Sequence, residues 1–138
     1  MRSIAQIAAD LHALNLSSGD ASLRMDQLAE EIQQHPGGVA LVENVLRLFE
    51  SHPHKDFGAP GPLAHAIEGY YGQGYEKELA ASIRRLPTTL TLWLANRIAN
   101  ARDDNSATFA ALLQEVSTRR DIDPGIAKEA LHFAALHL

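Results

Sequence analysis

Apolar side chains return at intervals of three and four along nearly all of this 138-residue chain, and that helical period constrains its fold more than any other feature. Ile4, Ile7, Ala8, Leu11 and Leu14 form one stripe, closed by the turn-forming residues of NLSSGD at 15–20. Leu23, Leu28 and Ile32 mark a second helix that stops before His35-Pro36, because the residue preceding a proline is pushed out of the helical region. After Gly37-Gly38 a third helix carries Leu41, Val42, Val45, Leu46, Leu48 and Phe49 on more than one side, the pattern of a largely buried element. Pro62 suits the first turn of a fourth helix, where its missing N–H costs nothing; Leu63, Ala66, Ile67 and Tyr70 face inward and Gly72-Gln73-Gly74 closes it. A fifth helix, 75–86, turns Leu79, Ile83 and Leu86 inward, and Pro87 separates it from a sixth at 88–100. Asp103-Asp104-Asn105-Ser106 offers N-cap oxygens to a seventh with Phe109, Leu112, Leu113 and Val116. Asp123 as N-cap and Pro124 as first helical residue open the last, with Ile126, Ala127, Ala130, Leu131 and Ala134 following.

One strand signal competes. Thr88 to Leu94 alternates and contains β-branched residues, but Pro87-Thr88 is also a helix entry and the spacing of Leu90, Leu94, Arg97 and Ile98 continues as a helix. The expectation is an all-α fold of seven or eight short antiparallel helices of roughly 11 to 14 residues. They would form a compact bundle or a HEAT-like stack of helical hairpins, as a single domain over residues 1–138. The irregular segment SHPHKDFGAPGP at 51–62 is expected to be a rigid surface loop within that domain.

Cysteine is absent, which excludes a disulfide scaffold and thiolate chemistry and fits a reducing compartment. Twelve Lys+Arg against 17 Asp+Glu leave a net charge of -5, and the only basic pairs are Arg84-Arg85 and Arg119-Arg120. A nucleic-acid partner is therefore not expected; a basic protein partner suits the charge. No apolar run approaches the roughly 20 residues that span a bilayer. The N-terminus breaks its apolar run with Gln6, Asp10 and His12, an amphipathic pattern rather than a secretory signal. A cytoplasmic protein without membrane contact is the expectation.

Motifs for catalysis are missing. His52, His54 and Asp56 place three donors within five residues, yet the spacing matches no established metal site, and a solvated loop is the simpler reading. His65 and Glu68 lie at i, i+3, where a side-chain hydrogen bond would steady the helix; HxxE is not the two-histidine arrangement of a zinc protease. There is no GxSxG, and Gly58-Ala59-Pro60-Gly61 lacks the Lys-Ser/Thr of a phosphate loop. The acidic pairs Glu30-Glu31 and Asp103-Asp104 read as solvated surface. No enzyme activity, cofactor or metal is expected, with a metal-dependent hydrolase built on His52, His54, Asp56, His65 and Glu68 as the remote alternative.

Tyr70, Tyr71 and Tyr75 lie within six residues beside Glu68, Glu76 and Glu78. Either their rings wedge a corner between helices, or one of them is exposed at an interface with a basic partner. Asn96, Arg97 and Asn100 form a polar group on the sixth helix; a buried Arg97 would need a partner such as Glu68, an exposed one only water.

The segment FGAPGPLAHAIE at 57–68, followed by Tyr75, Leu79, Ser82-Ile83, Arg85, Pro87-Thr88, Asn96-Arg97-Ile98 and Asn100, resembles a family of small bacterial immunity proteins. These protect against polymorphic toxins delivered by contact-dependent growth inhibition or type VI secretion. The match covers about a third of the chain, Phe57 to Asn100. The resemblance implies an all-helical cytoplasmic inhibitor that binds a cognate, basic toxin domain, a nuclease among the options. On that reading Pro60, Gly61, Pro62, His65, Glu68, Pro87, Asn96, Arg97 and Asn100 form either the scaffold for variable recognition residues or part of the toxin contact itself, and specificity can also reside in the N-terminal third. Asp56, Tyr70, Tyr71, Tyr75, Glu76, Glu78, Asp103 and Asp104 are the candidate toxin contacts. A helical adaptor that binds another protein or peptide is the alternative.

Overall fold

The structure is a computed structural model that describes residues 1–58 and 60–138. Ala59, within the glycine-rich segment read above, lies outside the described residues. The described residues form eight α-helices and one 3-10 turn, with no strand: α1 Ile4–Ala13, α2 Ala21–Gln34, the 3-10 turn Gly38–Leu41, α3 Val42–Glu50, α4 Gly61–Glu68, α5 Tyr75–Arg85, α6 Thr89–Asn100, α7 Ser106–Ser117 and α8 Pro124–Ala135. The fold is all-α, and the strand signal over 88–94 resolves as the start of α6. Three helices are shorter than expected, with α1 at 10 residues, α3 at 9 and α4 at 8. None of the described helices is long and apolar enough to cross a membrane.

Side-chain caps explain three of the helix starts. Ser3 and Gln6 close a reciprocal capping box at the start of α1. Thr88 and Thr91 make the same exchange at α6, fully buried, so the backbone N–H groups of both residues are satisfied by side chains. Asp123 accepts from the Gly125 N–H at 2.7 Å with Pro124 as first residue, as its sequence implies. The start of α7 differs: its N-cap Asn105 makes no side-chain cap bond, and Asp103 Oδ1 instead accepts from the Asn105 N–H at 2.9 Å. A local Asx turn competes with the cap and here replaces it.

The chain resolves into two compact units. The first comprises Met1–Leu48 with Asp56–Glu78, the second Phe49–Lys55 with Leu79–Leu138, so two of the three divisions fall inside helices, α3 and α5, and the third in the loop between α3 and α4. In the first unit α2 packs on α1, the 3-10 turn and α4, and Leu11, Leu28, Ile32, Leu46 and Ile67 are buried. In the second, α6, α7 and α8 pack on one another, and Leu94, Ile98, Leu113, Ile126 and Ala130 are buried. Three residues expected inward are not: Leu23 is 58 % exposed on α2, Leu131 54 % on α8, and Leu86 40 % just beyond the end of α5. For Leu23 and Leu131 the period is right but the buried arc is narrower than the apolar one; Leu86 is no longer helical, so its phase carries no meaning.

Candidate functional site

The motif block 57–68 folds as a backbone turn leading into α4. Phe57 holds φ +54° while its ring is buried, and Gly58 and Gly61 follow at +102° and +86°. The left-handed region costs a non-glycine residue about 1–2 kcal/mol, which ring burial offsets. Pro60 occupies the N-cap position and Pro62 the first turn of α4, the placement expected for Pro62. Asp56 stays exposed, its Oδ1 accepting from the Gly58 N–H at 3.1 Å. His65 is exposed and Glu68 is half-buried.

The three tyrosines separate as the geometry of a helix end demands. Tyr75 is 1 % exposed, which removes it from the candidate contacts. Tyr71 is half-buried and meets the Tyr75 ring edge-on at 6.5 Å. Tyr70 donates from Oη to the Ile32 carbonyl at 2.7 Å, tying the end of α4 to α2, and burial pushes its phenol above its ordinary pKa. Tyr75 is thus buried while Tyr70 and Tyr71 are half-buried, and the Tyr70 hydroxyl is bonded to backbone. Glu76 is half-buried with Oε1 accepting from the Gly72 N–H at 3.0 Å, and Glu78 is half-buried. Asp104 is exposed, whereas Asp103 is engaged in its Asx turn.

In the second unit, Arg97 is exposed and its guanidinium lies 4.9 Å from the Trp93 ring centroid, a cation–π contact on its own helix. Asn96 pairs through Oδ1 with His137 Nε2 at 2.7 Å, Asn100 is exposed and Pro87 is buried. The three polar residues of α6 thus do not act as one cluster. Of the proposed metal donors, His54 Nε2 lies 2.9 Å from Asp123 Oδ2, the N-cap of α8. Among the described residues no group of three or more His, Asp or Glu is placed to hold a metal ion.

Two polar networks had no sequence signal strong enough to find them. Glu50 at the end of α3, its side chain 8 % exposed, accepts from Arg85 Nε at 3.0 Å and Arg85 NH2 at 2.6 Å, and from Ser82 Oγ at 2.8 Å. This gives Ser82 and Arg85, from the downstream part of the resemblance, a structural role. In the first unit Arg2 bridges Asp10 (2.6 Å) and Glu31 (2.6 Å), and Arg24 joins Asp10 at 3.2 Å. Hydrogen bonds from Arg2 hold both carboxyls below the usual carboxylate range. Two open polar grooves border this network, one lined by Arg2, Arg24, Gln27, Glu30, Glu31 and Gln34, the other by Asp10, Leu14, Asn15, Ser18, Asp20 and Arg24.

The lowered carboxyls fix a sign. Their stabilisation is complete above the unfolded carboxylate range and is lost as the pH falls through the folded values. Arg2→Gln returns both groups toward that range and is expected to flatten the acid side of the stability profile. Urea midpoints measured from about pH 6 down to about pH 3 check this. An acid limb as steep as that of the parent would contradict it.

Comparison with protein-family models, with curated proteins and with solved structures finds no match to the chain.

Proposed function

We propose that this chain is an immunity-type inhibitor, binding the basic surface of a cognate toxin domain and neutralising it by contact alone. The observation that carries the reading is where the charge sits. The first unit holds ten Asp+Glu against four Lys+Arg, a balance of -6, while the second holds seven against eight, a balance of +1. The acidic excess thus belongs wholly to one unit. Its most open display is the outer face of α2, where Leu23, Asp26, Gln27 and Glu30 are all exposed. An apolar side chain flanked by unneutralised carboxylates suits a basic partner: the charges speed encounter and the leucine contributes buried area. The FGAPGPLAHAIE resemblance supports the same reading, as does the engagement of its Ser82 and Arg85 in structure, which leaves recognition to other residues. On this proposal the protein works in the cytoplasm and needs no cofactor.

The test is co-expression with the toxin domain encoded beside the gene. A tight 1:1 complex that abolishes toxicity is the expected result, and absence of a complex with toxicity unchanged refutes the proposal. Charge reversal by Asp26→Lys with Glu30→Lys is expected to slow association about tenfold at low salt and much less at high salt. The paired reversals Glu76→Lys with Glu78→Lys, and Asp103→Lys with Asp104→Lys, give the comparison: a larger effect from either would move the contact there.

A further inference from the structure

His35 follows α2, and both of its ring nitrogens are engaged by backbone. Nδ1 lies 2.9 Å from the Gly37 nitrogen, and Nε2 lies 3.1 Å from the Arg2 carbonyl oxygen. An amide N–H can only donate and a carbonyl can only accept, so the pair of contacts defines the ring: Nδ1 bare, Nε2 carrying the proton, charge zero. The bond on the Gly37 side shapes the chain reversal that starts the 3-10 turn, in which Gly38 N–H also donates to the His35 carbonyl at 3.0 Å. The bond on the Arg2 side ties down the segment before α1.

We propose that His35 is a proton-sensitive latch on this turn. A proton on Nδ1 turns the acceptor into a donor, so the Gly37 N–H loses its partner and meets an N–H head-on. The Nε2 bond to Arg2 survives, because that nitrogen already carries hydrogen. Acidification therefore releases the entry to the 3-10 turn and leaves the N-terminal segment in place. The charged groups on the elements that flank the turn pair with one another. Arg2 precedes α1, Asp10 lies on α1, Arg24 and Glu31 lie on α2, and they neutralise one another in one network. Tyr70, from the end of α4, approaches Gly38 as a neutral phenol, and the 3-10 turn itself brings no titratable side chain. The proton's effect is thus local to the Gly37 bond.

Nitrogen-15 NMR of the intact protein tests this directly. At about pH 8 the ring should show the Nε2–H tautomer; on acidification toward about pH 5 the Gly37 amide should lose protection against exchange by about tenfold, the value of one hydrogen bond near 1.4 kcal/mol, after correction for the intrinsic rate. The loss should follow the His35 ring titration. In His35→Asn the Asn carbonyl can accept from Gly37 without titrating, so the pH step should vanish. A wild-type ring found as the Nδ1–H tautomer, or Gly37 protection that stays constant while the ring protonates, overturns the proposal even if the variant does not fold.

Discussion

Arg85→Ala is expected to lower the stability of the protein by about 3 kcal/mol, the low end of the range for leaving a buried charge without its partner, because Arg85 itself is exposed while Glu50 is not. Glu50 is the reason. Its carboxylate is almost wholly removed from solvent and receives two of its hydrogen bonds from that one guanidinium, with Ser82 supplying a third. Removing Arg85 leaves a buried negative charge with the Ser82 hydroxyl as its remaining support among these three bonds. Arg85→Lys should recover only part of the loss, because an ammonium cannot reproduce the two parallel bonds. The double variant Arg85→Ala with Glu50→Gln should be more stable than Arg85→Ala alone, since the stranded charge is gone. Urea denaturation of the parent, Arg85→Ala, Glu50→Gln and the double variant reads the cycle; a loss below about 1 kcal/mol for Arg85→Ala, with no recovery in the double variant, would show that the pair contributes little.

Gly38→Ala should be comparably damaging for a different reason. A methyl group at this position would lie 2.1 Å from Tyr70 Oη and 2.2 Å from the Ile32 carbonyl oxygen. Those two atoms are hydrogen-bonded to each other, so the added carbon falls onto the bond that ties the end of α4 to α2. The phenol can swing away only by giving up that bond, and the Ile32 oxygen is backbone. Overpacking of this kind with one hydrogen bond lost costs about 3 kcal/mol. Tyr70→Phe separates the contributions. It removes the bond without adding bulk and should cost about 1 kcal/mol. Gly38→Ala placed in the Tyr70→Phe background should still be strongly destabilised, through the clash with Ile32. Thermal unfolding close to that of the parent would contradict the crowding at Gly38.

What was legible in the sequence was what depends on neighbours three or four residues away. The helical period, the Asp123-Pro124 start of α8, Pro62 in the first turn of α4 and the stop at His35-Pro36 all rest on local chemistry. Short-range signals failed where a nearby alternative existed, as when Asp103 took the Asn105 N–H into an Asx turn. The networks were illegible for a different reason. Glu50 meets Ser82 and Arg85 across 32 and 35 positions, and Arg2 meets Glu31 across 29, so no periodicity connects them. Among the candidate contacts, Tyr75 was lost because a tyrosine next to glutamates resembles an interface residue until the fold decides which ring goes inside. Leu23 was counted toward the core by spacing alone, although Asp26 and Glu30 already marked that side of α2 as wet.

The division of labour along α2 bears on how such a protein changes over generations. Its inner residues Leu28 and Ile32 and its ion-pairing Arg24 and Glu31 carry the helix, so Leu23 and Asp26 are left with exposed side chains whose replacement costs the fold little. Mutations there accumulate almost without selection for stability, and lineages can drift apart in surface pattern while keeping one backbone. On the proposed function, binding preferences can diversify from this helix by single substitutions, each tried at little risk of unfolding the chain that displays it.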